Sequence, residues 1–391
     1  MPNSGQRRRA SPPILQNAFR PFFLTGAIWA ACLVPLWVLA YFGHEPLAGM
    51  SMDMTLHAHE MLYGFLAAII CGFSLTAIPN WTGRLPVAGL GLGLLFGLWL
   101  AGRIATLVSG HWLAASLDVA FLIVLAGVVF REITVGKNWR NLPVAGLIGL
   151  LAVSHILFHL PSLQAHAIRG TLAVAALLIA VIGGRIVPSF TRNWLAAKAN
   201  PHASSLPAPM GRYDKVAIAI LAVGLSGFVL APHSFFTGLI LLIAGLAHAI
   251  RLVRWKGVHT FSEALVWSLH AGYAWLAVAC GLIGASRLWP TLIPTAAGFH
   301  ALAAGLIGAM TLAVMTRASL GHSGRARRAD LATTLIYALV HLGAIGRVVA
   351  AFVQNDPIWL DLGAGLWSAA FALFAIAFAP MLFGRPPKPA P

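Results

Sequence analysis

Fifteen histidines lie in a chain of 391 residues that is 59% hydrophobic and only 9% charged. Neutral imidazole ligates copper, haem iron and zinc, and several imidazoles from different helices can converge at one level of a bundle. Ionisable groups inside membrane spans are costly, so they normally face the bundle interior and mark a site or a path. His57, His59 and Glu60 stand together in the run LHAHEMLYGF. His155 and His159 are four apart, so they share one helix face. His270, His300 and His341 lie in the bodies of three apolar segments. At about 1.5 Å per residue, His300 is roughly 15 Å inward from Pro290, near a bilayer midplane. Taken singly, each histidine has a structural alternative, a hydrogen bond to a neighbouring backbone carbonyl. The group points more strongly to metal binding than any member does.

These residues need helices to position them. Soluble proteins carry roughly 25% charged residues, so the composition excludes an ordinary soluble fold. A bilayer-crossing helix takes about 20 mainly apolar residues. Twelve such segments fit: 22–42, 60–79, 87–108, 112–130, 142–160, 168–188, 215–232, 234–250, 261–285, 290–315, 331–353 and 358–383. The expected fold is all-α, a polytopic membrane protein. Residues 1–21 form an N-terminal segment, 22–383 a single twelve-span domain with a connector at 189–214, and 384–391 a tail. Arg7, Arg8 and Arg9 are not followed by a small-residue cleavage site, so the first span is expected to be retained.

The formal charge of +16 would suggest nucleic acid in a soluble chain. Here too few charges exist to cover a wet face, and no nucleic-acid partner is expected. Lys and Arg accumulate on the cytoplasmic side of membrane proteins. With both termini cytoplasmic, all 26 cations fall on that side except Arg103, Arg169, Arg287 and Arg347. Arg103 and Asp118 reach the outer third of adjacent spans from opposite directions, as do Arg347 and Asp361. Structural pairing is one reading; the other is that Arg103, Arg347 or Arg287 binds anionic groups such as haem propionates. Glu263 is either a proton-relay group or a helix-start carboxylate. Cys32, Cys71 and Cys280 have no paired spacing, and no phosphate loop, CxxCH, HExxH or exposed GxSxG motif is present.

Spans two, six and ten end in related segments: SLTAIPNWTGR at 74–84, GGRIVPSFTRNW at 183–194 and TLAVMTRASLGHSGR at 311–325. A four-helix unit used three times would give three arcs of four helices; the alternative is that span ends commonly favour Pro, Trp and Arg.

FRPFFL at 19–24, HAHEMLYGF at 57–65, GFSLTAIPNWTGR at 72–84, GGRIVPSFTRNW at 183–194 and MTLAVMTRASLGHSGR at 310–325 together resemble the NnrS family over nearly the whole chain. The resemblance implies a bacterial inner-membrane protein containing haem and copper, associated with nitric oxide metabolism and resistance to nitrosative stress. The lipid bilayer and nitric oxide or a related small ligand are then the expected partners, and the electron donor is not specified. The resemblance carries no ligand assignment; by their positions, the expected ligand sets are His57 and His59 with Glu60 at an outer metal site, with His155 and His159 in reserve. His270, His300 and His341 are the deeper haem or copper ligands, with Arg103 and Arg347 beside a cofactor. On a regular helix His57 and His59 diverge by about 200°, so they share a metal only if residues 55–60 are irregular. Two function classes stay open: a haem-copper protein that binds or processes nitric oxide, with metal-dependent redox chemistry on nitric oxide or its metal adducts, and a transporter of a metal or metal-nitrosyl species whose path the histidines line.

Overall fold

A computed structural model describes residues 11–44, 52–108, 112–198, 206–354 and 356–385. The run Arg7 to Arg9, residues 199–205 of the connector and Lys388 lie outside these. Among the described residues every regular element is helical, and twelve helices are long and apolar enough to cross a membrane. They are α1 (Phe19–Tyr41), α2 (Met54–Thr82), α3 (Leu90–Val108), α4 (Trp112–Val135), α5 (Leu142–Phe158), α6 (Gln164–Ala197), α7 (Arg212–Leu230), α8 (Phe235–Arg254), α9 (Ala264–Leu288), α10 (Thr295–His322), α11 (Leu331–Phe352) and α12 (Pro357–Phe383).

Several helices overrun their expected bounds, and for α2 and α6 the reasons are identifiable. The α2 helix starts at Met54, because the Asp53 carboxylate caps it by accepting from the Leu56 N–H at 2.8 Å. This puts His57 and His59 on the helix itself. The α6 helix runs through Pro188 to Ala197, beyond what hydropathy marks. A proline removes one N–H and need not end a helix whose flanks are packed. Glu263 is a helix-start carboxylate: it accepts from the Leu265 and Ala329 amides at the head of α9.

By contact the chain divides into two compact units: Met1–Val174 with Arg317–Ala326 and Phe371–Pro391, and Ala175–Thr316 with Arg327–Ala370. In lipid, helices associate through close packing and hydrogen bonds rather than by escape from water. The first unit packs an aromatic core in which Phe22 meets Phe96 edge-on at 5.6 Å and Phe121 at 5.8 Å. Its fully buried Arg20 donates to the carbonyls of Leu382 and Gly384 at 2.8 and 2.7 Å, satisfying the end of α12. In the second unit α8 packs against α7 and α9. Its buried Arg251 binds Asp214 at 2.7 Å, the Tyr273 hydroxyl at 2.6 Å and the Ala180 carbonyl at 2.9 Å, and His248 lies 2.7 Å from the same hydroxyl.

The related sequences of spans two and ten correspond to a shared local geometry. Each opens as six α-helical residues ending in histidine, Met54–His59 and Thr295–His300. Each then widens to a seven-residue π-helix, Glu60–Leu66 and Ala301–Ile307, before returning to α-helix. The spacing between counterparts is constant and gap-free through Gly83 and Gly324, which close the helices at φ of 70° and 69°, a conformation glycine adopts without strain. It continues to the starts of α3 and α11, Leu90 and Leu331. Span six shares the end motif but is continuous α-helix.

Candidate metal centre

The π-helical turn places successive side chains differently from an α-helix, and such turns recur at functional sites. Here it presents His59, Glu60 and Tyr63 toward α3, α4 and α5. Gly64 lets this face approach its neighbours closely: a Cβ there would stand 2.8 Å from both Glu60 Oε2 and Trp29 Nε1. Its carbonyl is taken by the Trp99 indole N–H at 3.1 Å.

His59 Nδ1 lies 2.9 Å from Glu60 Oε1 and must donate, since the carboxylate only accepts. Glu60 also accepts from Arg103 Nη1, 2.8 Å from each oxygen, and from Trp29 Nε1 at 2.9 Å. The other end of the Arg103 fork, Nη2, binds Asp118 Oδ1. That leaves Asp118 Oδ2 pointing at imidazoles, 2.8 Å from His59 Nε2 and 3.1 Å from His155 Nε2. The two Nε2 atoms are 3.3 Å apart. His155 is held by the Tyr63 ring, stacked on it at 4.0 Å and 8°. Tyr63 is itself fixed by its hydroxyl, which donates to Ser154 O at 3.2 Å and accepts from Thr171 at 2.8 Å.

One ligand atom from each of His59, Asp118, His155 and the exposed His159 falls within 4.8 Å of the others. Among the described residues this is the one convergence of three or more such groups. With its Nδ1 hydrogen committed to Glu60, a neutral His59 offers a lone pair at Nε2, toward a carboxylate oxygen and a second imidazole nitrogen. His155 Nε2 can carry a hydrogen and donate it to Asp118 Oδ2; with that hydrogen displaced, the facing lone pairs surround a position for a cation. Ligand atoms about 2.0–2.1 Å from a tetrahedral ion are themselves about 3.3 Å apart, the scale observed here. The His59–Glu60 bond is also the usual orienting contact behind a metal-bound histidine, fixing its tautomer and raising its basicity. Three imidazoles and one carboxylate suit copper or zinc.

The structure thus brings His59, His155 and His159 together, with Glu60 behind His59 rather than among the converging atoms. Asp118 joins them; the sequence had marked it only as a partner for Arg103, and that pairing is present as well. His57 faces elsewhere, stacking on Trp37 at 5.0 Å, as its two-residue offset from His59 on regular helix requires. Of the four arginines that the charge rule left over, Arg103 is buried, while Arg169, Arg287 and Arg347 are partly exposed. Tyr63 and Trp29 carried no sequence signal beyond their aromatic character.

The deeper histidines have separate partners. His270 Nε2 is 2.7 Å from the Thr191 hydroxyl. His341 Nδ1 accepts from the Trp275 indole at 3.0 Å, which leaves the hydrogen of a neutral ring on Nε2. His300 Nδ1 donates to Ala296 O at 2.8 Å.

A family model described as NnrS protein matches residues 13–385 of this chain. No curated protein matches it.

Proposed function

The chain belongs to the NnrS family, and on that premise we propose that it is a haem- and copper-holding protein of a bacterial inner membrane, acting on nitric oxide or its metal adducts. In this reading copper is held by His59, His155, His159 and Asp118, and haem iron by His300. The single observation that carries it is the convergence of His59 Nε2, His155 Nε2 and Asp118 Oδ2 within 2.8–3.3 Å, with Glu60 orienting His59 from its Nδ1 side.

Bound copper and haem iron would supply redox-active positions to which nitric oxide binds. The chain's own residues do the rest. Glu60 fixes the tautomer of His59, Arg103 orients both carboxylates, and the Tyr63 ring holds His155. Trp99 and Tyr63 are buried on the inner side of the centre, while the exposed His159 forms its rim. The transport reading needs a polar path continuing inward from the centre. Next to the cluster stand instead the Glu60–Arg103–Asp118 ion pairs, all buried, which favours a resident metal over a moving one.

The test is metal analysis and an absorption spectrum of the detergent-purified chain after haem-replete expression, reduced and then exposed to nitric oxide. Stoichiometric copper and a Soret band that shifts with nitric oxide are the expected results. A protein with neither metal overturns the reading.

A further inference from the structure

Arg103 does more than hold two carboxylates in place. Glu60, Arg103 and Asp118 are each 1% exposed, so their charges are compensated by one another and by whatever the centre binds, not by water. Every contact to Glu60 is a donor: His59 Nδ1, Trp29 Nε1 and both approaches of Arg103 Nη1. That pattern is satisfied by an ionised carboxylate. Asp118 is held ionised by the guanidinium on Oδ1, while Oδ2 faces the imidazoles. Two negative charges against one positive leave the protein part of the centre at minus one when its imidazoles are neutral ligands. A singly charged cation brings the buried cluster to zero. A doubly charged one leaves a net positive charge in a low-dielectric interior, unless it also carries a hydroxide.

Resting on the reading of this cluster as a metal centre, we infer that Arg103 is a specificity-determining residue that tunes it to a singly charged cation. Among ions that imidazole binds well this is the cuprous ion, in preference to zinc or another divalent cation. The guanidinium suits this task because its fork reaches Glu60 through Nη1 and Asp118 through Nη2 at once, which a lysine ammonium does not reproduce. Gly64 makes room for it: a Cβ there would stand 3.1 Å from Arg103 Nη1.

The experiment uses the full-length chain in detergent, stripped of metal and equilibrated anaerobically against buffered cuprous ion and buffered zinc in separate competition titrations. Bound metal is read by elemental analysis. Arg103→Gln lowers the compensating charge, so the cuprous-to-zinc affinity ratio falls by about tenfold or more. Glu60→Gln changes the charge in the opposite sense and shape very little, so it weakens zinc more than cuprous ion and raises the ratio. Arg103→Lys keeps the charge and moves the ratio less than Arg103→Gln. If Arg103→Gln does not fold, Glu60→Gln carries the test by itself. A ratio unmoved in the charge-changing variants, or moved the wrong way, overturns this inference while leaving the metal centre standing. Binding of neither ion to the wild-type chain overturns both.

Discussion

His59 Nε2 stands 2.8 Å from Asp118 Oδ2 although the same ring already donates from Nδ1 to Glu60. The two residues come from helices that are not adjacent in sequence, α2 and α4, and a third helix, α5, brings His155 to the same point. What holds them there is a chain of oriented polar contacts together with ring packing around Tyr63, and its members make separable predictions.

The two proposed metal positions respond independently. His155→Ala removes one converging nitrogen and is expected to reduce bound copper by about tenfold or more while the Soret band stays. His300→Ala is expected to do the reverse. Elemental analysis and the reduced absorption spectrum of each purified variant check this, and loss of both signals from either single variant would count against two separate centres.

Tyr63 contributes a ring and a hydroxyl. Tyr63→Phe keeps the stack on His155 and leaves Ser154 O and the Thr171 hydroxyl without that partner. The expected cost is about 1 kcal/mol in stability, with copper retained. Tyr63→Ala also loses the stack, and copper affinity is expected to fall about 10-fold as His155 gains freedom. Thermal unfolding in detergent and metal competition separate the two effects.

In the second unit, Arg251 and Asp214 form a buried pair. Asp214→Asn leaves the guanidinium with only neutral partners, Tyr273 and Ala180 O. Breaking a buried pair from one side typically costs about 3 kcal/mol. A clear drop in unfolding temperature with unchanged copper content is the expected outcome.

Asp330 caps α11 by accepting from the Thr333 amide at 2.8 Å. The hydrogen bonds from Thr333 hold its carboxyl below the usual aspartate range. A carboxylate depressed in the folded state contributes stability above its unfolded pKa and loses it as pH falls through the folded value. Asp330→Ala is expected to cost about 1 kcal/mol near neutral pH, and the gap from wild type should narrow on acidification. Unfolding curves at neutral and acidic pH check the sign.

The twelve spans were legible because hydropathy over about 20 residues leaves few alternatives in lipid. Asp118 and Arg103 were legible as a pair because consecutive helices joined by a short turn must lie side by side. The divergence of His57 from His59 followed from helical geometry alone. The meeting of α2, α4 and α5 was not readable, because no local pattern says which faces of non-consecutive helices meet. Nor was the π-helical turn, since Glu60–Leu66 and Ala301–Ile307 share little beyond a preceding histidine and an internal glycine.

That turn occurs twice, and the second copy works as an internal control. Where the first has Glu60, Tyr63 and Arg103, the matching positions of the second are Ala301, Ala304 and Ala344. The wide turn persists without the carboxylate, the phenol or the guanidinium, so the ion pairs did not create it. A Trp indole lies over the glycine in both, Trp29 at Gly64 and Trp275 at Gly305. The same wide turn thus carries an ionic socket in one segment and a histidine followed by alanines in the other.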